Sequence, residues 1–352
     1  WFYYTSHFVC PSNRGNFIYI LQRRGLGMKI HLLPPGTNTY KANLHCHTKE
    51  FDSGTGYTTP QQIKELYKSH GYNIVAFTDY NKLTYKDYLN DDEFYALPGF
   101  EVLWNDPESP KIYHFNCYPK YYGVKEEYFS LYNVEFNLEN ANKLIKSYVD
   151  NDYLVTYNHP ACTFNGSSYY ETKEFLSLKG IFAMEIYNNI VEKINRTGWS
   201  DVYYDAMLRN GHKLWAVATD DNHSGNKELD FPPDSPYSKY MGGFIMIRSK
   251  DLSHGSIINA LENGHFYSCV GNNGIAPKIH NMYIEDDIFY ADFTPVKSVY
   301  LKNSFWHCPH QLSFHDDITH VEFKIDKSWT YIRLEITDSN GYKALGNPYF
   351  IP

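Results

Sequence analysis

Short apolar runs recur along the first 270 residues of the chain, and stretches with helical spacing lie between several of them. Runs of this length suit strands that are buried on both faces of a parallel sheet. Alternation of such strands with helices predicts an α/β fold with polar residues gathered at the carboxyl ends of the strands, as in α/β barrels. The runs are Ile74–Phe77, Tyr95–Leu97, Ile112–Tyr113, Tyr153–Tyr157, Ile181–Met184 and Leu214–Ala218.

Three stretches predict helices: one lies before the run at Ile74, and two lie between later runs. Thr59 and Pro60 supply an N-cap and a first-turn proline, and apolar residues at helical spacing follow until Gly71. Residues 138–149 and 199–210 repeat the helical period. Helices in these places fit the connections of an α/β barrel.

After about residue 275 the pattern changes to short strands separated by turns. Val296–Leu301, Thr319–Ile325 and Thr330–Thr337 fit strands, and residues 338–341 form a turn signal. The pattern predicts a small β-sandwich at the C-terminal end. The expected division is an N-terminal lead-in over 1–39, a barrel over 40–275 and the β-sandwich over 276–352.

The segment His45-Cys46-His47 is the first candidate for chemistry. Side chains alternate along a strand, so His45 and His47 project to one face while Cys46 projects to the other. Imidazole nitrogens suit zinc, manganese or iron, and Asp52 in the following loop adds a carboxylate. An H-x-H pair alone is a weak signal, because most histidines bind no metal.

More ligand-type residues follow at or near the ends of the apolar runs. Several of them also have a purely structural explanation. His114 fits a hydrogen-bonded core histidine, His159 fits a strand end before Pro160, and residues 220–222 fit a loop with an Asx turn. The ordered coincidence of five motifs favours a shared metal site over these separate readings. The residues are Asp79, Glu101, His114, His159, Asp221 and His223.

The order of these motifs resembles the polymerase and histidinol phosphatase (PHP) family of metal-dependent phosphoesterases over roughly residues 40–270. The family's T-D-H motif stands here as Thr78-Asp79-Tyr80, a departure at its last position. The other matching residues are His45, His47 and Thr48 with Asp52 for the first motif, Glu101 for the bridging glutamate, His114 and His159 for the next histidines, and Asp221 with His223 for the final D-x-H motif.

This resemblance implies a distorted (β/α)7 barrel that holds two or three divalent ions, taken as zinc, manganese or iron. It also implies catalytic roles for Glu101, Asp221 and His223, and makes Asp79 a further metal-site candidate. Asp220 is the second candidate for the aspartate of the final D-x-H motif, if the alignment of that motif shifts by one residue. The implied ligand sets are His45, His47, Glu101 and Asp221 for one ion, Glu101, His114 and His159 for the second, and Asp52, His223 and the residue at Tyr80 for a third.

Tyr80 puts the third ion in question, because a phenol with a pKa near 10 is a poor ligand until it loses its proton. Either Tyr80 binds as a phenolate, or the third ion is weak or absent, or another side chain substitutes. Substrate contacts are predicted from residues near the same strand ends and loops. They are Tyr80, Glu185, Asn188, Arg196, Lys227 and His265.

Composition narrows the choice of partners. A formal net charge of −8 argues against a nucleic-acid backbone as the main partner, since such binding requires a basic face. The six cysteines show no C-x-x-C spacing, and no run approaches the ~20 apolar residues of a membrane span. We therefore expect a cytoplasmic protein that acts on a small molecule, with no membrane partner; the sequence leaves its oligomeric state open.

The leading functional hypothesis is a phosphoesterase that hydrolyses a small phosphorylated metabolite with a metal-activated hydroxide. A second is a metallohydrolase of an ester or carbamate at the same site, because fold and ligands do not fix the substrate. A third is a non-catalytic metal-binding or interaction protein whose site has decayed at Tyr80.

Overall fold

We describe the fold from a computed structural model of the 352-residue chain. The structure describes residues 20–24, 27–50, 56, 58–109, 111–124, 131, 134–162, 172–223 and 231–352. None of the helices within these ranges combines the length and the apolar character needed to cross a bilayer.

The described residues form a mixed α/β fold. The helices are α1 Pro60–Ser69, α2 Leu138–Asp150, α3 Thr172–Phe175, α4 Asn189–Asn195, α5 Asp201–Arg209 and α6 His254–Glu262. The strands are β1 Ile20–Arg24, β2 Gly27–His31, β3 Asn38–Asn43, β4 Ile74–Phe77, β5 Tyr95–Pro98, β6 Phe100–Asn105, β7 Ile112–Pro119, β8 Tyr153–Tyr157, β9 Ala183–Asn188, β10 Trp215–Thr219, β11 Gly243–Ser249, β12 Phe266–Val270, β13 Ile279–Glu285, β14 Ile288–Val296, β15 Ser298–Asn303, β16 His310–Leu312, β17 Ile318–Lys324, β18 Tyr331–Thr337, β19 Lys343–Gly346 and β20 Tyr349–Phe350.

Two sheets face each other around a shared core. One has the order β6-β7-β8-β9-β10, and the other contains β5-β4-β3-β11-β12. Apolar side chains from both sheets, such as Ala42, Val217 and Ile245, pack in one buried cluster. A Cβ atom on Gly243 of β11 would lie 2.2 Å from the carbonyl oxygen of Thr219 in β10, so the sheets meet closely there. Within the described ranges, however, no sheet closes on itself, and the predicted distorted (β/α)7 barrel is not observed.

The departure from strand–helix alternation begins at β6. The strand β7 runs antiparallel to β6 and also antiparallel to β8. Only the short stretch 106–111 joins β6 to β7, whereas a crossover between parallel strands requires roughly a dozen residues or more. The apolar run that predicted a parallel strand at Ile112 therefore forms one arm of a hairpin.

Local sequence accounts for the start of α1. The Thr59 hydroxyl accepts a hydrogen bond from the Gln62 backbone N–H over 3.2 Å, and the Gln62 side chain accepts one from the Thr59 N–H over 3.0 Å. This reciprocal cap satisfies two donors that the first turn leaves without partners, and Pro60 fits the first helical position. Ile63 and Tyr67 bury the inner face, as the spacing predicted.

The C-terminal part is antiparallel and shares a sheet with the α/β part. Strand β12 pairs with β19, which continues the sheet through β18 and β15 to β16. Strand β20 pairs with β18 of this sheet. Strands β13, β14 and β17 form a second sheet, and the hairpin β1–β2 pairs with it through β13. The predicted strand Val296–Leu301 is divided, because Val296 ends β14 and Ser298 begins β15.

Candidate metal centre

The loops that follow β3 and β10 are joined backbone to backbone. The His47 N–H donates to the Asn222 carbonyl over 2.9 Å, and the Asn222 N–H donates to the His45 carbonyl over 3.3 Å. Cys46 and Asn222 thus form a parallel bridge beyond the ends of the two strands. This bridge places two imidazoles and the Asp221 carboxylate against the same space.

Together with Glu101 of β6, these side chains form a compact, buried first group: His45, His47, Glu101 and Asp221. The Nε2 atoms of His45 and His47 lie 3.1 Å apart, and each lies 3.1 Å from Glu101 Oε2. Each also lies 3.2 Å from Asp221 Oδ1. Ligand atoms at about 2.0–2.1 Å from a tetrahedral ion are about 3.3 Å from each other, so the spacing fits one ion.

A second group uses the other oxygen of Glu101. Its Oε1 atom lies 3.3 Å from His114 Nδ1 and 3.4 Å from His159 Nε2. The two imidazole nitrogens lie 3.3 Å apart. These three atoms occupy the corners of one triangular face, which leaves further coordination positions for solvent or substrate. Glu101 therefore stands between the two groups with one oxygen directed at each.

The chemistry of the donors fits divalent cations. Asp221 Oδ1 is buried and makes no hydrogen bond, although it points at the centre of the first group. An ionised carboxylate oxygen in such a place is costly unless a cation faces it. Mixed imidazole and carboxylate ligands suit zinc, manganese or iron, whereas calcium and magnesium prefer all-oxygen sites.

Buried charges of both signs interact strongly here. Burial disfavours a charged imidazole, yet Asp221, Glu101 and Glu185 raise the pKa of His45 to about 10. Burial likewise disfavours the Glu101 carboxylate, but the histidines around it, His45 foremost, hold its pKa well below its usual range. Glu101 thus remains ionised and attracts positive charge, which a proton or a divalent ion at the same point supplies.

Glu185 supports the first group from behind. Its Oε1 atom accepts from His45 Nδ1 over 2.7 Å, which turns Nε2 of that ring toward Glu101 and Asp221. The same carboxylate accepts from the Thr219 hydroxyl over 2.6 Å and from the His159 backbone N–H over 2.7 Å. The sequence suggested a substrate contact for Glu185; the structure places it behind the candidate ligand His45, in the middle of β9.

Three asparagines hold other members of the two groups. Asn158 donates to Glu101 Oε1 over 2.9 Å. Asn105 Oδ1 lies 3.0 Å from His114 Nε2, so Nδ1 of His114 faces the centre. Asn188, a predicted substrate residue, donates to Glu185 over 2.9 Å and to Asp221 over 3.2 Å. Sequence patterns did not assign these orienting roles, because Asn158 and Glu101 are 57 positions apart and Asn188 and Asp221 are 33 apart. Asn105 and His114 are only nine positions apart, but they meet across the hairpin of β6 and β7.

Replacing Glu185 with glutamine is expected to weaken metal binding about 10–100-fold, the usual cost of losing a partner that orients a ligand histidine. The amide keeps the size of the side chain but removes the charge that holds His45 Nδ1–H. Competition with a fluorescent chelator measures the change. Glu262→Gln on the surface is the matched control, and equal metal affinity in both variants would remove Glu185 from the metal centre.

Two aspartates of the motifs lie outside both groups. Asp79 accepts from the Thr48 backbone N–H over 2.6 Å and from its hydroxyl over 3.0 Å, so it supports the loop that carries His47. Asp220 accepts from the backbone N–H groups of residues 241, 242 and 243 over 2.7–3.0 Å. The structure therefore brings Asp221, and not Asp220, to the ligands.

Tyr80 and His223 lie together at the edge of the first group. The Tyr80 hydroxyl lies 3.1 Å from His223 Nε2, and the Tyr80 ring is 4.5 Å from that of His47. His223 Nδ1 donates to the Asp221 carbonyl over 2.9 Å, so Nε2 accepts from the phenol. Burial, followed by the neighbouring His47, lowers the pKa of His223 to about 4 and keeps the ring neutral at pH 7.

Two other predicted substrate residues, Arg196 and His265, are not gathered at this centre. Arg196 is exposed at the end of α4 and lies 3.6 Å from Glu192. His265 precedes β12, at the end of that strand opposite to the ligand loops, because β12 and β3 both run antiparallel to β11. Asp52 and Lys227 lie outside the described residues.

The solved structures that are similar to this chain include the following three. The first is a two-domain protein from Bacteroides vulgatus that contains a predicted PHP-like metal-dependent phosphoesterase; the match covers 93% of this chain and 99% of that one, with 13% identity and a TM-score of 0.45. A candidate metal-dependent phosphoesterase from Bifidobacterium adolescentis matches over 55% and 90%, with 11% identity and a TM-score of 0.36. Endonuclease Q, in complex with a 27-mer duplex substrate, matches over 64% and 57%, with 13% identity and a TM-score of 0.39.

The sequence matches no family model and no curated protein. Two of the similar structures are PHP-like or metal-dependent phosphoesterases by description, the class that the motif order resembles. Because the identities and TM-scores are this low, conclusions about this chain rest on its own residues. The exclusion of nucleic acid as the main partner stays a prediction from the net charge of −8.

Proposed function

We propose that this chain is a metal-dependent phosphoesterase that hydrolyses a small phosphorylated metabolite at a two-ion centre. The observation that carries the proposal is Glu101, whose two oxygens face two separate sets of ligand atoms. Two-ion hydrolases need such a bridging carboxylate to hold their cations about 3.5–4 Å apart. When bound, zinc, manganese or iron would supply Lewis acidity toward phosphoryl oxygens and lower the pKa of a water.

Different residues of the chain have different roles in holding the ions and contacting the substrate. Glu101 carries the negative charge that both positions share, and Asn158 fixes its Oε1 atom. Glu185 fixes the ring of His45. Tyr80 and His223 supply a hydroxyl and an imidazole at the rim, where they can contact a substrate oxygen. The ligands lie between residues 45 and 221, so we place the centre in the 40–275 unit and none of it in the β-rich 276–352 unit.

Hydrolysis of p-nitrophenyl phosphate by metal-loaded protein tests the proposal. We expect turnover with added manganese, zinc or iron and its loss after chelation, with recovery when the ion is returned. Carboxylic esters and carbamates in parallel test the second hydrolase class, and a duplex oligonucleotide tests a nucleic-acid substrate. Full metal occupancy without turnover of any of these substrates would support a binding protein instead.

Tyr80→His is expected to raise the number of ions per chain or to change metal preference. A neutral imidazole binds zinc or iron near pH 7, whereas a phenol must first lose its proton. Elemental analysis after metal loading and dialysis measures the stoichiometry. Tyr88→His, at a tyrosine that is 67% exposed, is the matched control. Unchanged stoichiometry and metal preference in Tyr80→His would show that Tyr80 lies outside any coordination sphere.

A further inference from the structure

A pocket of about 380 Å³ lies on the side of β11 that faces away from the core shared by the two sheets. Phe244 and Met246 line the pocket, whereas the alternating residues Ile245 and Ile247 pack into that shared core. Side chains alternate along a strand, so the pocket and the shared core lie on opposite faces of β11. None of the six ligands of the metal centre lines it.

Lys41 supplies a positive charge to this pocket. Its ammonium donates to the carbonyl of His70 over 2.9 Å and to that of Gly274 over 2.8 Å. The nitrogen also lies 4.9 Å from the ring centroid of Tyr72 and 5.3 Å from that of Phe244. Carbonyl dipoles and aromatic rings stabilise a cation but do not neutralise it. Burial, and the positive charge of Lys278, lower the pKa of Lys41.

The remaining lining residues carry no negative charge. Lys278 stands exposed at the rim, and no aspartate or glutamate lines the pocket. Among the described residues, neither Lys41 nor Lys278 lies within ion-pair distance of a carboxylate. This is a local excess of positive charge on a chain whose formal net charge is −8. The excess favours an anionic ligand over a neutral or cationic one.

Glycine keeps the pocket open next to the ammonium. Gly274 has φ +68°, and a Cβ atom there would lie 3.1 Å from the Tyr72 ring and 3.2 Å from Lys41 Nζ. The Gly274 N–H donates to the Met241 carbonyl over 2.8 Å, which fixes this segment against the start of β11. The backbone thus approaches Lys41 closely, and no side chain from this position fills the space.

We propose that this pocket binds a small organic anion with an apolar body. Its charged group would meet Lys41 and Lys278 through charge-assisted hydrogen bonds, and its apolar part would pack against Phe244, Met246 and Pro277. The volume lies within the range of small-molecule sites, about 300–1,000 Å³, which are mostly apolar with a few placed polar groups. A medium-chain carboxylate has both the charge and the size required.

Calorimetric titration of the metal-loaded protein with octanoate tests the proposal, with 1-octanol as the neutral probe of equal length. We expect saturable 1:1 binding of octanoate, at least about tenfold tighter than that of octanol. Lys278→Glu, at an exposed side chain, should weaken octanoate binding at least about tenfold. Lys250→Glu makes the same charge change at an exposed lysine outside the pocket and should leave binding unchanged.

Three results would overturn the proposal: absence of saturable octanoate binding, equal binding by Lys278→Glu and Lys250→Glu, or unaltered binding by a folded Ala276→Phe protein. The second result would also indicate that the carboxylate of octanoate binds at the metal ions, because such binding does not depend on Lys278. Ala276→Phe fills the pocket from its wall without changing charge, and it should abolish octanoate binding. Thermal melts of each variant show that it is folded, and unaltered binding by a folded Ala276→Phe protein would also exclude this site.

Discussion

Glu101→Gln is expected to remove the second metal ion and to reduce phosphoester hydrolysis by more than about 100-fold. This loss is larger than the usual loss of about 10–100-fold when a side chain that only orients a metal ligand is replaced. The amide has nearly the size of the carboxylate, but it offers one neutral oxygen where two charged oxygens now face two ligand groups. It can therefore serve one ion poorly and cannot hold a second. Metal content per chain and the hydrolysis rate of the loaded variant measure the two effects.

Glu139→Gln makes the same chemical change on the exposed surface of α2 and is the control for expression, folding and metal loading. Thermal melts of both variants separate loss of the centre from loss of the fold. If Glu101→Gln retains two ions per chain and a rate within a few-fold of the parent, Glu101 is not the bridge and the proposed two-ion mechanism is wrong.

Asp205→Asn is expected to destabilise the fold by about 3–5 kcal/mol, the usual cost of removing one partner of a buried ion pair. Arg333 of β18 is 1% exposed and donates through Nε and Nη2 to the two carboxylate oxygens of Asp205 over 2.8 and 2.9 Å. Asp205 belongs to α5, so the pair joins the α/β part to the C-terminal strands. The amide would leave the buried guanidinium with Glu335, whose Oε2 lies 3.5 Å from Nη1, as its remaining counter-charge.

Urea unfolding of the metal-free protein measures this loss, with two comparisons. Asp150→Asn breaks an exposed ion pair with Lys146 and should cost under about 1 kcal/mol. The double variant Asp205→Leu with Arg333→Met removes both charges and should be clearly more stable than Asp205→Asn alone. A loss in Asp205→Asn no larger than in Asp150→Asn would show that the pair does not hold the two parts together.

The same pair predicts a pH dependence of stability. Burial raises the pKa of Asp205, but Arg333 lowers it more, so the folded-state pKa is below the ordinary value of 3.8. The unfolded chain therefore binds this proton more readily than the folded chain. The contribution of Asp205 to stability is complete above about pH 4 and is lost as the pH falls through the folded-state pKa. Unfolding curves at pH 7 and pH 3 should show a smaller difference between parent and Asp205→Asn at pH 3.

Local sequence determined the elements whose signals are carried by neighbouring residues. The strands β4 and β8 have the predicted bounds, because each is a buried apolar run with no competing pattern. The helix α1 begins after Thr59 because its cap needs only Thr59 and Gln62. The order of ligand-type residues is also read directly from the sequence, and the structure gathers six of them into the two groups.

Tertiary structure alone decided which polar residues face the centre. Asp220 and Asp221 are adjacent and chemically identical, yet backbone N–H groups of residues 241–243 bind the first, while the second faces His45 and His47. Glu185 orients His45 across 140 positions of sequence. Such choices depend on which backbone donors and side chains the folded sheets bring within about 3 Å, and no local pattern encodes these distances.

The direction of the strands likewise does not follow from the apolar runs. The apolar run at Ile112 suits a parallel or an antiparallel strand equally, and the short connection after Asn105 decides for a hairpin. Arg333 and Asp205 each look like ordinary surface charges in sequence, and only the pairing of β18 beside α5 buries them together. Periodicity and capping thus determined the individual elements, and the order of the motifs indicated the candidate ligands. The length of the connection after Asn105 decided the direction of β7, whereas long-range packing decided the pairing of buried charges and the side chains that orient each candidate ligand.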